Sequence, residues 1–170
     1  MEQLDDTGLD AARCAVAMPI VGICEAAIHA ASPIAHRFTI VTTLARSVPA
    51  LEMLVSRYGV AQRCVVRASN VPVLALDSTD AEARIESEIE RALSDDRAEA
   101  IVLGCAGMSD LAASLSRKFA VPVIDGVGAA VKLIELLVGL GLRTSKIGGC
   151  APPLRKSYHG AMASFAPVSR

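Results

Sequence analysis

Hydrophobic positions along this chain follow two periods that take turns. Short continuous apolar runs ending in Gly, Thr or Asp predict buried strands, and stretches with apolar residues every three or four positions predict helices. Pro19-Ile20-Val21-Gly22-Ile23 predicts a short buried strand entering a helix from about Cys24 to Ala31. Arg37 to Thr43 predicts the next strand, and Ser47 to Tyr58 a helix with Pro49 in its first turn and Gly59 as its stop. Val71 to Leu76 predicts a strand with Pro72 near its start. Asp80 to Leu93 is the clearest amphipathic pattern: Ile85, Ile89 and Leu93 fall four apart, while Glu82, Arg84, Glu86, Glu88, Glu90 and Arg91 make a solvated face.

The second half continues in the same way. A strand is predicted at 99–103, a helix from about Ser109 to Phe119, and a strand from Val121 to Ile124. An apolar helix follows from Val127 to Leu140, and from Arg143 an aperiodic tail containing Pro152-Pro153 is expected over the surface. Such a βαβα series implies an α/β fold with a parallel sheet, right-handed crossovers and helices on both faces.

Composition agrees with that class. Of 170 residues, 52% are hydrophobic, with no Trp, two Tyr and three Phe, so the core is built from Ala, Val, Leu and Ile. The length suits one good core. A net charge of −1 with scattered Lys and Arg gives no nucleic-acid footprint. No apolar stretch reaches the roughly 18 residues of a membrane span. Glu2, Asp5 and Asp6 at the start do not read as a signal peptide. Cys14, Cys24, Cys64, Cys105 and Cys150 are irregularly spaced, with no CxxC and no Cys/His cluster of metal-ligand type, which suits reduced thiols in the cytoplasm. Cys14, Cys24 and Cys64 read as small fillers of helix or strand faces.

The candidate chemistry lies where strands end. The run Ala100-Ile101-Val102-Leu103 breaks into Gly104-Cys105-Ala106-Gly107-Met108 ahead of a helical pattern. A cysteine at a strand-to-helix turn meets free backbone N–H groups and the positive end of a helix, which stabilise a thiolate. Gly104 and Gly107 allow a tight turn and a close substrate approach. Cys105 is therefore the candidate for the chemistry and is expected to be the most reactive thiol. In parallel sheets ligands bind beyond the carboxyl ends of the strands, which adds Thr42, Thr43 and Asp125 to the same edge. Thr42 and Thr43 serve equally well as capping hydroxyls, and Asp125 as the N-cap of the following helix.

Several collinear segments resemble the Asp/Glu/hydantoin racemase superfamily, and within it the hydantoin racemase branch. They are Asp6-Thr7-Gly8-Leu9-Asp10-Ala11-Ala12-Arg13, Pro19 to Ala26, Val41-Thr42-Thr43, Leu103 to Met108, Pro122-Val123-Ile124-Asp125-Gly126, Thr144-Ser145-Lys146 and Ala151-Pro152-Pro153. The resemblance implies two pseudo-symmetric α/β lobes with the site between them. It also implies cofactor-free, metal-free racemisation of a 5-substituted hydantoin or allantoin by two cysteines on opposite faces of the substrate. Cys105 matches the second of these, with Thr42, Thr43, Gly104, Ala106, Gly107 and Asp125 as substrate-binding candidates. The first falls near Gln3, where this chain has no cysteine, and the family's lead-in strand is missing before it.

On that alignment residues 1–36 are the remnant of a first lobe and 37–126 a complete lobe. Residues 127–170 are a helix returning to the first lobe plus the irregular tail. Two functions follow from the resemblance: a small-molecule racemase acting as a homo-oligomer in the cytoplasm, or a truncated and catalytically impaired homologue. Members of the wider superfamily with one cysteine act as decarboxylases, which leaves that activity as a minor alternative. A cysteine hydrolase finds no paired base in His29, His36 or His159.

Overall fold

Phe38, Thr39, Ile40, Val41 and Thr42 are all buried, as a strand must be when helices cover both faces of its sheet. The computed structural model describes residues 5–76, 78–154, 156 and 158–166. Its elements in order are α1 (Leu9–Ala15), α2 (Ile23–Ala31), β1 (Phe38–Thr42), α3 (Val48–Arg57), β2 (Cys64–Ala68), α4 (Thr79–Asp95), β3 (Ala100–Leu103), α5 (Ala112–Phe119), β4 (Val123–Asp125) and α6 (Gly126–Gly139). The four strands form one parallel sheet in the order β2-β1-β3-β4. This is the expected α/β class.

Alternation along the strands divides the core into two layers. Phe38, Ile40, Ala100 and Val102 point to one face, where Cys24, Ala27, Ile28 and Ala31 of α2 and Leu51, Leu54 and Val55 of α3 cover them. Val41, Ile101 and Leu103 point to the other, under Ala81, Ile85, Ile89 and Ala92 of α4 and Leu115 of α5. Helix α6 lies against α2 and leaves Val131, Leu136 and Val138 exposed. Among the described residues no helix is long and apolar enough to cross a membrane.

Two expected strands are not strands. Residues 19–22 are an irregular lead-in to α2, because polar contacts start the helix there. Asp6 accepts from the Cys24 and Glu25 N–H groups at 3.1 and 3.0 Å, and Glu25 accepts from the Gly22 N–H at 3.2 Å. An apolar run alone cannot distinguish these outcomes, since it does not name a pairing partner. Val71–Leu76 forms a 3-10 turn at Val73–Ala75 after Asn70 reverses the chain at φ 55° and Pro72 supplies no N–H.

The second strand of the sheet is β2, which the hydrophobic pattern hides because Arg67 lies within it. Asp96 takes that guanidinium at 2.5 and 2.7 Å, so a charge can stay at the sheet edge. The helix expected from Ser109 is also divided: a 3-10 segment, Ala106–Leu111, precedes α5.

The tail folds back on the chain start. Thr144 donates from its N–H to the Ala17 carbonyl at 2.9 Å and from its hydroxyl to Met18 at 2.7 Å. Lys146 Nζ reaches the carbonyls of Arg13 at 2.5 Å and Cys14 at 3.3 Å.

Candidate active site

Parallel pairing brings the candidate residues to one edge. Val41 lies opposite Leu103, and Leu103 opposite Asp125, so Thr42-Thr43, Gly104-Cys105 and Asp125 leave the sheet side by side. The Gly104 N–H donates to the Val41 carbonyl at 2.8 Å, carrying the β1–β3 ladder one residue past the end of β3. The Thr42 hydroxyl lies 3.4 Å from the Gly104 carbonyl.

Cys105 adopts extended geometry (φ −149°, ψ 135°) and caps the 3-10 segment, whose Met108 N–H returns to the Cys105 carbonyl at 3.0 Å. The N–H groups of residues 106 and 107 lie in the first turn and have no partner within that helix. Ala106 and Gly107 are exposed, whereas Cys105 is only 1% exposed. Part of the cover comes from the segment expected as a strand at Val71–Leu76, which packs against the same core layer as Cys105. A Cβ on Gly107 would stand 3.8 Å from Cys105 Sγ and 2.8 Å from Leu76 Cδ1, so the turn after β2 leans over the thiol's neighbour. The high thiol reactivity expected from the sequence is thus opposed by burial, and a reagent reaches Cys105 only as this cover moves.

Thr43 is fully buried, and its hydroxyl has no hydrogen-bond partner among the described residues. An unsatisfied buried hydroxyl costs on the order of 1–3 kcal/mol, which makes it an unusual group to keep for packing alone. Asp125, by contrast, is fully engaged. Its carboxylate accepts from the Val127 and Gly128 N–H groups at 3.1 and 2.7 Å as the N-cap of α6, and from the Ser109 hydroxyl at 2.5 Å. Ser109 was not among the candidates read from sequence. The signal available was a serine three residues beyond Ala106, spaced to bond back to that carbonyl.

The other thiols lie elsewhere. Cys24 and Cys64 are buried in the core layer on the α2–α3 face, and burial pushes both thiols up, that of Cys64 to about 12. Cys14 donates to the Gly149 carbonyl at 3.4 Å where the tail crosses α1, and Cys150 lines a cavity of about 430 Å³ between α1, α2, α6 and the tail. Gln3, where the resemblance sets the partner cysteine, lies outside the described residues.

A family model described as Asp/Glu/Hydantoin racemase matches residues 4–134. The chain belongs to the Asp/Glu/hydantoin racemase family. Among curated relatives it is 52% identical to a hydantoin racemase of Rhizobium meliloti over 92% of this chain, and 46% identical to one of Pseudomonas sp. (strain NS671) over 94%. It spans 66% of the length of each of these. Among solved structures it resembles an allantoin racemase from Klebsiella pneumoniae with a TM-score of 0.90 and 46% identity, covering 99% of this chain and 70% of that one. An allantoin racemase from Pseudomonas fluorescens gives 0.87 and 40%, covering 93% and 68%. This family membership accounts for the collinear motifs from Asp6 to Pro153.

Proposed function

We propose that this chain carries the Cys105 half of a racemase acting on a small cyclic amide of the hydantoin or allantoin type. The observation that carries the reading is Cys105 itself, held just past the end of β3 between two glycines, next to the strand β1 after which the buried Thr43 hydroxyl has no hydrogen-bond partner among the described residues. The names of the relatives support the substrate class.

In this reading the Cys105 thiolate takes the proton from the ring stereocentre. The electron pair left behind delocalises into the adjacent carbonyl as an enolate. Donors preorganised at that oxygen lower the barrier, because charge develops there during the step. The N–H groups of residues 106 and 107, together with the Thr43 hydroxyl, are the groups assigned to this task, while the Thr42 hydroxyl is turned to the Gly104 carbonyl and Gly104 itself is needed for the close approach of β1. A second acid then returns a proton to the opposite face, which completes the inversion without net change in protons. The reading requires neither metal nor cofactor.

Residues 37–126 form the lobe that carries this machinery. Residues 1–36 and 127–170 are assigned to a second lobe, an assignment supported by the way the tail packs on α1 and residues 17–18. The protein is further taken to be a cytoplasmic homo-oligomer. Association is supported by exposed Val131, Leu136, Val138 and Leu140, and sedimentation velocity over a concentration series checks it.

A second reading is favoured by the placement of the other thiols. Cys24 and Cys64 lie in the core layer on the α2–α3 face, and Cys14 and Cys150 beside the tail. A chain working with Cys105 alone exchanges the substrate's α-proton with solvent faster than it inverts the centre. Incubating a single enantiomer of a 5-substituted hydantoin, and separately of allantoin, in D₂O tests both readings. Proton NMR follows exchange and chiral chromatography follows inversion. Equal rates mark a complete racemase, and exchange outrunning inversion marks the impaired homologue. Full exchange by Cys105→Ser would overturn the assignment of Cys105.

A further inference from the structure

Asp125 and Ser109 lie sixteen residues apart in sequence and hold each other at 2.5 Å. That is the length of a charge-assisted O–H···O⁻ bond. The same Ser109 hydroxyl lies 2.8 Å from the Ala106 carbonyl oxygen. One hydroxyl carries one proton, so the two contacts share it as a three-centre bond that ties the carboxylate to the carbonyl. The carboxylate is in turn fixed by the Val127 and Gly128 N–H groups of α6, a helix of 14 residues. A chain of contacts therefore runs from the first turn of α6 through Asp125 and Ser109 to the peptide between Ala106 and Gly107.

That peptide adjoins Cys105. Because it is planar and trans, fixing its carbonyl towards Ser109 fixes the Gly107 N–H in the opposite direction. Sγ of Cys105 lies 3.8 Å from the place a Cβ on Gly107 would occupy, so the peptide packs beside the thiol. With three donors already on its two oxygens, the Asp125 carboxylate has little capacity left for a ligand.

We infer that Ser109 and Asp125 are positioning residues, a latch that sets the orientation of the Cys105-Ala106-Gly107 turn from the rigid start of α6. This rests on the reading of Cys105 as the proton-transferring group. It differs from a direct substrate contact by Asp125, because the carboxylate acts through Ser109. Geometry of this kind controls the chemical step more than binding, since a displacement of about 1 Å can cost about 100-fold in rate.

Ser109→Ala is the variant of choice, because Asp125 keeps its role as the cap of α6 in it. Two measurements on the full chain decide the matter. In the first, iodoacetamide labelling at pH 8 is followed by mass spectrometry at all five cysteines. Loss of the latch raises the Cys105 rate several-fold and leaves Cys24 and Cys64 unlabelled, and Ser109→Thr restores the slow rate. An unchanged Cys105 rate overturns the latch. So does a rise shared by Cys24 and Cys64, since that reports general loosening.

In the second, α-proton exchange shows a fall of about tenfold or more in kcat with KM within twofold. A loss confined to KM overturns the inference, as does no loss at all when Cys105→Ser is inactive. If Cys105→Ser exchanges normally, or the unmodified chain shows no exchange, the reading of Cys105 fails instead. The labelling arm still decides whether the latch exists.

Discussion

A Cβ placed on Gly104 would stand 2.9 Å from the Cα of Thr42, closer than side chains approach a backbone. Strands β1 and β3 draw together at this point, where the Gly104 N–H bonds to the Val41 carbonyl at 2.8 Å. The obstacle is main chain and cannot rotate aside. Gly104→Ala is therefore expected to destabilise the fold by about 2 kcal/mol, as forced overpacking does. Because the strain falls between Thr42 and Cys105, proton exchange should suffer more than stability. Urea denaturation with parallel exchange assays checks both; full stability and activity would mean that the strands separate there freely.

Where backbone and side-chain pattern act locally, the sequence was readable. β1, β3 and α4 follow from their apolar spacing, and Cys105 from a strand that stops at Gly-Cys-Ala-Gly. What escaped depends on contacts between distant segments. β2 contains Arg67, whose charge is acceptable only because Asp96 waits at the end of α4. Residues 71–76 have the composition of a strand, but Asn70 turns the chain and Leu76 packs over Gly107. Ser109 gains its partner only when β3 and β4 pair in register. The close approach of strands at Gly104 depends on how β1 and β3 lie against each other, which no local pattern encodes.

Arg67 and Asp96 give the fold an acid-sensitive clamp. The Arg67 guanidinium, helped by the Thr39 hydroxyl at 3.1 Å, holds the Asp96 carboxyl below its ordinary value. A carboxyl whose folded pKa is depressed contributes stability that is fully present above the unfolded value, about 3.9, and lost as the pH falls through the folded one. Unfolding free energy should accordingly be level from neutrality down to about pH 5 and decline below pH 4. Arg67→Leu leaves Asp96 with the Thr39 hydroxyl and the charge of Arg37 at a site where the Asp96 side chain is 10% exposed, and should cost about 3 kcal/mol. Its remaining stability should depend less on acid. A wild-type acid limb retained in Arg67→Leu would assign the effect to other carboxylates.

Cys24 and Cys64 provide the opposite limb. Burial raises both thiols, that of Cys64 to about 12. A group whose folded pKa is raised contributes stability that is present below its unfolded value, about 8.5 for cysteine, and lost as the pH climbs towards the folded one. Thermal midpoints should fall progressively above about pH 9. Cys64→Ala should flatten that fall while lowering the midpoint at neutral pH, because it removes buried sulfur from the core. Differential scanning fluorimetry from pH 7 to 11 reads both effects. An unaltered alkaline slope in Cys64→Ala would count against the buried thiol as its source.

Thr43 separates function from stability most sharply. Its hydroxyl is buried with no hydrogen-bond partner among the described residues, and replacing such a group by a methyl removes a desolvation cost and breaks no described hydrogen bond. Thr43→Val preserves the β-branched shape that suits the end of β1. If the hydroxyl serves only packing, this substitution leaves activity alone and raises stability by up to about 1 kcal/mol. If instead it is held ready for a substrate oxygen or N–H, the variant gains the same stability but loses about 1–2 kcal/mol of interaction with the ring, roughly a tenfold loss in kcat/KM for α-proton exchange. We expect the second pattern, a protein more stable and less active. Thr43→Ser should keep more of the activity, because it returns the hydroxyl. A Thr43→Val protein that gains stability at unchanged kcat/KM would remove Thr43 from the site.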